Sequence, residues 1–137
     1  MSKLSAFLKP AVSAEEKEVL ISRRFLDEKG EPVKFKIRAI SQEENERITK
    51  AATRTVKLNG QMVERMDSAE FSRRMVVAGT VEPDFSSKEM CDAYGCMDPL
   101  AVPGKMLYSG EFNALLSEIS ALSGFQLSDL GDEAKNS

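Results

Sequence analysis

The chain has 137 residues, of which 42% are hydrophobic and 30% are charged, and its formal net charge is −3. This composition is typical of one globular domain and excludes a disordered chain. A negative net charge gives no overall attraction to nucleic acid or anionic lipid, and no apolar run approaches the roughly 20 residues of a membrane span. We therefore expect neither nucleic acid nor a membrane as a partner.

The first 16 residues are predicted to form a short surface helix or an arm. Their pattern resembles a secretory signal, but Lys9 and Pro10 interrupt the apolar stretch well below the length that a signal needs. We therefore expect a cytoplasmic protein. Residues 17–125 are predicted to form a single domain, followed by a flexible acidic tail over residues 126–137.

Residues 18–40 carry the pattern of a β-hairpin, with strands predicted over 18–26 and 33–40. Apolar and polar residues alternate on both sides of a turn in which Gly30 suits a position with positive φ. Arg23 does not fit, because alternation places it on the apolar face, so we expect it at the edge of the core or paired with a carboxylate. Six side chains are predicted to face the helices: Val19, Ile21, Phe25, Val33, Phe35 and Ile37.

Three helix starts share one capping pattern, in which an N-cap residue is followed three residues later by a glutamate. The three boxes are Ser41–Glu44, Asp67–Glu70 and Ser86–Glu89. They predict helices over 42–55, 68–81 and 87–94. A fourth helix is predicted over 110–123 from apolar residues at helical spacing, with Ser109 suited to cap its start and Gly124 its end.

The segments between these helices are predicted to be extended or irregular. Residues 55–65, reversed at Asn59-Gly60, predict a second and smaller hairpin. Residues 81–85 are predicted to form a tight linker, and residues 96–107 a loop with two prolines. The predicted fold class is therefore α+β, with an antiparallel hairpin packed against about four short to medium helices.

No constellation of residues predicts a catalytic or metal site. The chain has no histidine, so a nucleophilic serine or cysteine lacks its usual base. A zinc site would need two soft ligands beyond Cys91 and Cys96. If both cysteines lie on one helix, they point about 140° apart and cannot form a disulfide without unwinding it. We expect no cofactor, no metal, no disulfide in a reducing cytoplasm and no enzymatic activity.

Two charged groups have a functional and a structural interpretation. The basic residues of the hairpin could hold phosphates, but a solvated outer face is favoured because the chain is acidic and no aromatic residues lie between them. The acidic run at the start of the first predicted helix is what the helix dipole favours, so it needs no metal. The basic set is Arg24, Lys34, Lys36 and Arg38, and the acidic set is Glu43, Glu44 and Glu46.

The seven methionines could form a surface that holds varied partners, because thioether side chains repack easily. For any single methionine, gap-filling in the core is the favoured interpretation, and it is favoured less strongly for the group. The prolines and short helix of segment 81–106 leave apolar side chains few local neighbours, so we predict that this segment forms the wall of a groove for an amphipathic helix. The hairpin edge is the competing site, where an extended strand could add. The predicted partner-binding residues are Phe85, Met90, Tyr94, Met97 and Met106.

The order and spacing of six short elements resemble a known family. The elements are RFxDExGxPxxFxIRAI from Arg24, EEN from Glu43, VEPDF from Val81, DAYG from Asp92, KMLxxGEF from Lys105 and SGF from Ser123. Together they resemble the XkdN-like tail assembly chaperones of long-tailed phages and prophages. The resemblance covers residues 17–125.

This resemblance implies a small non-catalytic α+β protein made in an infected or induced bacterium. Such a chaperone is expected to hold the long helical tape measure protein soluble while tube subunits polymerise around it, with the tail-tube protein as a second candidate partner. It is expected to be absent from the finished virion. The residues leave open an adaptor domain of a mobile element that binds a host protein, and a small enzyme that uses lysine or carboxylates.

Overall fold

The computed structural model describes residues 3–11 and 15–125, and the predicted acidic tail lies outside these ranges. A 3-10 turn, Pro99–Ala101, comes directly before the helix that begins at Val102. Within the described ranges no helix is long and apolar enough to cross a membrane. The elements in chain order are α1 (Lys3–Leu8), β1 (Glu16–Val19), β2 (Phe35–Arg38), α2 (Gln42–Ala51), β3 (Thr53–Leu58), β4 (Gln61–Met66), α3 (Ser68–Gly79), β5 (Thr80–Glu82), α4 (Lys88–Ala93), α5 (Val102–Met106) and α6 (Ser109–Leu122). They confirm the α+β fold class.

The first predicted hairpin is confirmed, although its regular part is short. β1 and β2 pair antiparallel, with Val19 opposite Phe35. Nearer the tip, the Val33 N–H donates to the Phe25 carbonyl at 2.8 Å, and Gly30 in the turn has φ 78°. Between these two paired stretches lie residues 20–24 on one side and a single residue on the other. Residues 20–24 therefore bulge out of the ladder.

This bulge explains which side chains reach the core. Phe35 and Ile37 are buried as predicted, because they lie on the regular strand β2. The prediction for Arg23 is wrong: the side chain is exposed, because the alternation that placed it inward does not continue through the bulge. The prediction for Val33 is also wrong, since 46% of this residue is exposed where the tip extends past its neighbours.

A third strand joins this sheet, so the linker predicted over residues 81–85 is wrong in its first part. β5 pairs antiparallel with β2, which gives the strand order β1-β2-β5. α3 ends at Gly79, two residues earlier than predicted. Thr80 is buried and its hydroxyl donates to the Val76 carbonyl at 2.7 Å. A strand of three residues is too short to show periodicity, and its partner is distant in sequence.

The second predicted hairpin is confirmed as the ribbon β3–β4. Asn59 and Gly60 both have positive φ, 51° and 81°, as the favoured two-residue hairpin turn requires. α2 ends at Ala51, four residues before the predicted end, because Thr53 already pairs with Met66. The strands form a separate two-stranded sheet.

Two of the three predicted N-caps are confirmed, but the glutamates of these two boxes bind arginines rather than the N-cap backbone. Ser41 and Asp67 each accept backbone N–H groups at the start of α2 and α3. The third prediction is one residue too early, because Ser87 caps α4. Ser109 is not the cap of α6: the Tyr108 N–H precedes the helix and donates to the Glu111 carboxylate at 2.7 Å. Gly124 ends α6 with φ 98°, as predicted.

The buried apolar cluster lies between the three-stranded sheet and the helices. It draws residues from β1, β2, α2, α3, α5 and α6. The loop predicted over residues 96–107 contributes to it, because this segment forms the 3-10 turn and α5 rather than an open loop. Its most buried members include Phe85, Ile37, Met75, Leu115, Ile119, Val76 and Val102.

Candidate partner-binding surface

The five residues predicted to form a partner-binding wall lie at very different depths. Phe85 is completely buried and Met106 is only 9% exposed, so both belong to the core. Met90 and Tyr94 are partly buried and pack against that core. Met97 is fully exposed. The structure therefore does not bring the five side chains together as one open wall.

Segment 81–106 buries its apolar residues because its later part folds back onto the core. The prolines were expected to leave these side chains without neighbours. Instead, Pro99 begins the 3-10 turn, Pro103 is itself fully buried, and Val102 joins the same buried cluster as Phe85. A segment that was predicted to be irregular is thus well packed.

An apolar groove of about 270 Å³ opens between the tip of the first hairpin and the residues after β5. It lies where the two predicted binding regions, the hairpin and segment 81–106, meet. Its volume is below the roughly 300–1,000 Å³ of small-molecule sites, so it fits a side chain of a protein partner better. This site is termed the hairpin groove and is lined by Phe25, Val33, Lys34, Phe35, Glu82, Pro83 and Met106.

The lining of the hairpin groove changes from buried to exposed towards its opening. Phe35 is 2% exposed and its ring lies 5.9 Å from that of Phe25, tilted by 48°. Val33 is nearly half exposed. Lys34 and Glu82 are both exposed and carry opposite charges. The groove therefore offers an apolar interior beside one basic and one acidic side chain.

Arg24 joins the hairpin to the helices beside this groove. Its Nη2 donates to the Met106 carbonyl at 3.0 Å, and its Nε donates to the Glu111 carboxylate at 3.1 Å. A second bond from Nη2 makes the Arg24–Glu111 pair bidentate. The guanidinium also lies 3.9 Å from the centroid of the Tyr108 ring and 4.8 Å from that of Phe25. These contacts fix the tip against the end of α5 and the start of α6.

Two carboxylates that arginines contact, those of Glu111 and Glu70, are stabilised in their ionised form. The hydrogen bond from Arg24 lowers the pKa of Glu111 to about 2. Hydrogen bonds from Arg54 and then Arg74 lower the pKa of Glu70, against an opposing effect of burial. A general acid at neutral pH needs a raised pKa instead. Both groups therefore act as hydrogen-bond acceptors that hold elements together.

The basic residues of the hairpin do not form a free patch. Arg24 is bound to Glu111, and Arg38 makes a bidentate pair with Glu44 of α2. Hydrogen bonding to Glu44 raises the pKa of Arg38. Two of the four predicted basic residues are thus used within the chain, and a phosphate-binding surface has no support here.

A polar cleft of about 670 Å³ separates α2 from the ribbon. Its walls carry amide, hydroxyl and charged groups of both signs, and none of its lining residues is a large apolar residue that could pack against an amphipathic helix. In the part of the chain that the structure describes, no three cysteine or acidic side chains converge in a way that could hold a metal ion. The cleft is lined by Gln42, Asn45, Glu46, Thr49, Lys50, Thr53, Thr55 and Glu64.

The chain was compared with known proteins. The family model described as "Phage XkdN-like tail assembly chaperone protein, TAC" matches residues 4–135. This chain belongs to the XkdN-like tail assembly chaperone family. The phage-like element PBSX protein XkdN of Bacillus subtilis strain 168 is 36% identical over 129 residues, which are 91% of this chain and 87% of the relative.

A second relative extends the match to a solved structure. The uncharacterised protein YqbN of the same strain is 37% identical to this XkdN-like chain over 129 residues, again 91% and 87% of the two chains. A crystal structure of YqbN matches with a TM-score of 0.75 and 32% identity, and covers 92% of this chain and 99% of that one. The two folds are therefore closely similar.

Three of the six elements that carry the family resemblance meet at or beside the hairpin groove of this XkdN-like protein. Arg24 and Phe25 come from the first element, Pro83 from VEPDF, and Met106 and Glu111 from KMLxxGEF. Sequence reasoning missed the Arg24–Glu111 pair, because its members are 87 residues apart. The sequence did contain one sign of this pair, because Arg24 and Glu111 both lie within elements of the family pattern.

Proposed function

We propose that this protein is a non-enzymatic tail assembly chaperone that binds the tape measure protein. It keeps that protein soluble in the cytoplasm of the host until tail-tube subunits assemble around it, and it is absent from the mature virion. Membership of the family supports the role in tail assembly. A tape measure protein exposes a long apolar helical surface before assembly, so its helper needs adaptable apolar surface rather than catalytic groups.

The observation that carries this proposal is the hairpin groove. An amphipathic helix presents apolar side chains on one face, and the groove accepts one of them between Phe25, Val33 and Pro83. Met106 in the lining can adapt to side chains of different shape. Lys34 and Glu82 can pair with charges beside the apolar stripe. Burial of one such side chain contributes about 1.5–3 kcal/mol, which suits a grip that must later be released.

Met97 is proposed as a further contact, because it is a fully exposed thioether in the segment after α4. In this proposal Met90 and Tyr94 support that segment from the core side, and Phe85 and Met106 fix its two ends. The residues predicted from sequence thus divide into two that contact the partner, Met97 and Met106, and three that position the surface.

Val33 and Leu26 provide a matched test of the groove. Val33 lies opposite Phe25 in the hairpin and lines the groove, whereas Leu26 follows Phe25 and so points to the other face. Both are exposed, 46% and 56%, so a charge at either position should be tolerated by the fold. Each variant, Val33→Asp and Leu26→Asp, is co-expressed with the tape measure protein, and the soluble fraction of that protein is measured.

We expect Val33→Asp to lower the soluble tape measure protein about tenfold, equivalent to about 1.4 kcal/mol of binding. Leu26→Asp should stay within about twofold of the wild type, and both variants should keep the wild-type thermal midpoint. Equal effects of the two substitutions would remove the groove from the proposal. Full solubility of the partner without this protein would remove the chaperone role itself.

A further inference from the structure

α4 ends in a geometry that brings Cys91 and Cys96 together. The helix ends at Ala93, and Gly95 has φ 65°, in the left-handed region. The Gly95 N–H donates to the Asp92 carbonyl at 3.3 Å, and the Cys96 N–H donates to the Cys91 carbonyl at 2.9 Å. This pair of bonds is the Schellman motif. The two cysteines are therefore not on one helix, so the condition under which their side chains would diverge is not met.

The hydrogen bond between the two cysteines limits how far apart they lie. With standard bond lengths, an N···O distance of 2.9 Å places the two Cα atoms about 6 Å apart or closer. Disulfides span Cα separations of about 4.4–6.8 Å. In the Schellman motif the side chains at these two positions commonly contact each other. Neither cysteine is in a disulfide, and both are partly buried and packed against the same core cluster. The Cys91 thiol donates to the Phe85 carbonyl at 3.8 Å and the Cys96 thiol to the Tyr94 carbonyl at 3.5 Å, so these two weak hydrogen bonds break when the sulfurs join.

We propose that Cys91 and Cys96 form a dithiol site that a small-molecule disulfide, such as oxidised glutathione, converts to an intrachain disulfide. One cysteine thiolate attacks a glutathione sulfur, which gives a mixed disulfide and releases one glutathione thiolate. The other cysteine thiolate attacks the protein sulfur of that mixed disulfide and expels the second glutathione. Two protein thiols are oxidised, one glutathione disulfide is reduced, and the two departing thiolates take up the two cysteine protons.

The disulfide closes a ring of residues 91–96 around the end of α4. Met97 follows this ring directly, so oxidation restricts the segment that carries this exposed side chain. A reducing cytoplasm keeps the site in the dithiol form, and the ring closes only under oxidising conditions. This chemistry goes beyond the proposed function, and it holds whether or not the chain binds a tape measure protein.

Intact mass spectrometry of the full chain tests the proposal. The reduced protein is incubated with oxidised glutathione, and its mass and free thiols are followed. We expect a monomer lighter by two hydrogen atoms, with no retained glutathione and no free thiol, and full return to the dithiol with dithiothreitol. Cys91→Ser and Cys96→Ser each leave one thiol, so each should stop at a glutathione adduct.

A matched control moves one thiol onto the helix. The double variant Ala93→Cys/Cys96→Ser keeps two cysteines, but at positions 91 and 93 of α4 they point about 200° apart. It should accumulate glutathione adducts and form no intrachain bond. The proposal is overturned if the wild type keeps its adducts, stays reduced or forms intermolecular disulfides. Ring closure in the control as well would show that the geometry at the end of α4 is not the cause.

Discussion

At the scale of single residues, the surroundings of a methionine decide whether it can contact a partner. Met97 follows the turn at Gly95, where no helix or strand covers it, and it is fully exposed. Met90 lies in α4 and packs against the core, and its N–H is capped by the Ser87 hydroxyl. The same substitution, Met to Gln, at each of the two residues therefore compares one side-chain change in a packed and in an exposed environment.

We expect Met97→Gln to leave the free energy of unfolding within about 0.5 kcal/mol of the wild type, as for other exposed sites. Met90→Gln should lower it by about 1–3 kcal/mol, because a side-chain amide then lies against apolar atoms. Urea denaturation of both variants measures this difference. A large loss of stability in Met97→Gln would contradict its exposed position. If Met97 contacts the tape measure protein, Met97→Gln also lowers recovery of that protein in co-expression.

Arg23 and Arg24 show what alternation alone misses at this scale. The pattern placed Arg23 inward, but residues 20–24 bulge from the ladder, and Arg24 is the one that contacts Glu111 and the Tyr108 ring. A bulge shifts which side chains face the core, and it depends on pairing that only the folded hairpin has. The presence of a paired arginine was predictable, but its position was not.

At the scale of elements, Gly79 at the end of α3 lies close against Ile119 of α6. A Cβ atom at this position would lie 2.5 Å from Cγ2 of Ile119 and 2.9 Å from its Cδ1. Ile119 is completely buried, so its side chain has no free space to move into. A glycine near the end of a helix usually lowers helix stability, and here it allows the two helices to pack.

Gly79→Ala should therefore destabilise the protein by about 1–3 kcal/mol. The free-energy cost of overpacking against Ile119 is larger than the gain in helix propensity from alanine, which is about 1 kcal/mol. Urea denaturation measures the change. In the double variant Gly79→Ala/Ile119→Ala the clash is absent, so the Gly79→Ala step should become neutral or favourable in that background. A stabilising effect of Gly79→Ala in the wild-type background would show that the helices can separate freely.

The elements that sequence reasoning predicted correctly are those whose signals are local. The N-caps Ser41 and Asp67 set the starts of α2 and α3, and Asn59-Gly60 set the turn of the ribbon. β5 and α5 were missed because three to five residues carry no readable period, and both form only against distant parts of the chain. The same limit applies to the hairpin groove, which needs β5 and α5 in place.

At the scale of the whole molecule, two arginine-bound carboxylates join elements that are separate along the chain. Glu111 of α6 binds Arg24 of the hairpin, and Glu70 of α3 binds Arg54 of the ribbon and Arg74 of its own helix. The partners of the first pair are 87 residues apart, so no local pattern predicts it. The sequence did place both residues in elements of one family pattern, and three of those six elements meet at or beside the groove.

Acid should loosen the molecule through these two carboxylates. The pKa of Glu111 is about 2 in the folded chain against an ordinary value of 4.5, and that of Glu70 is also lowered. A carboxylate whose pKa is lower in the folded state stabilises the fold above its unfolded pKa and loses this contribution as pH falls towards its folded pKa. We therefore expect the thermal midpoint to be steady above about pH 5 and to fall between about pH 5 and pH 2.

Glu111→Gln separates this effect from general acid unfolding. The Gln side chain can still accept the Tyr108 N–H, but it has no charge for Arg24. The thermal midpoint of Glu111→Gln should be lower than that of the wild type at pH 7. The difference should shrink as pH falls towards 2, because protonation of Glu111 removes the same charge from the wild type. Glu43→Gln is the control, since Glu43 is 81% exposed and pairs with Arg47 of its own helix. Parallel midpoint curves for the wild type and Glu111→Gln across this range would show that the Arg24–Glu111 pair does not hold the hairpin to α6.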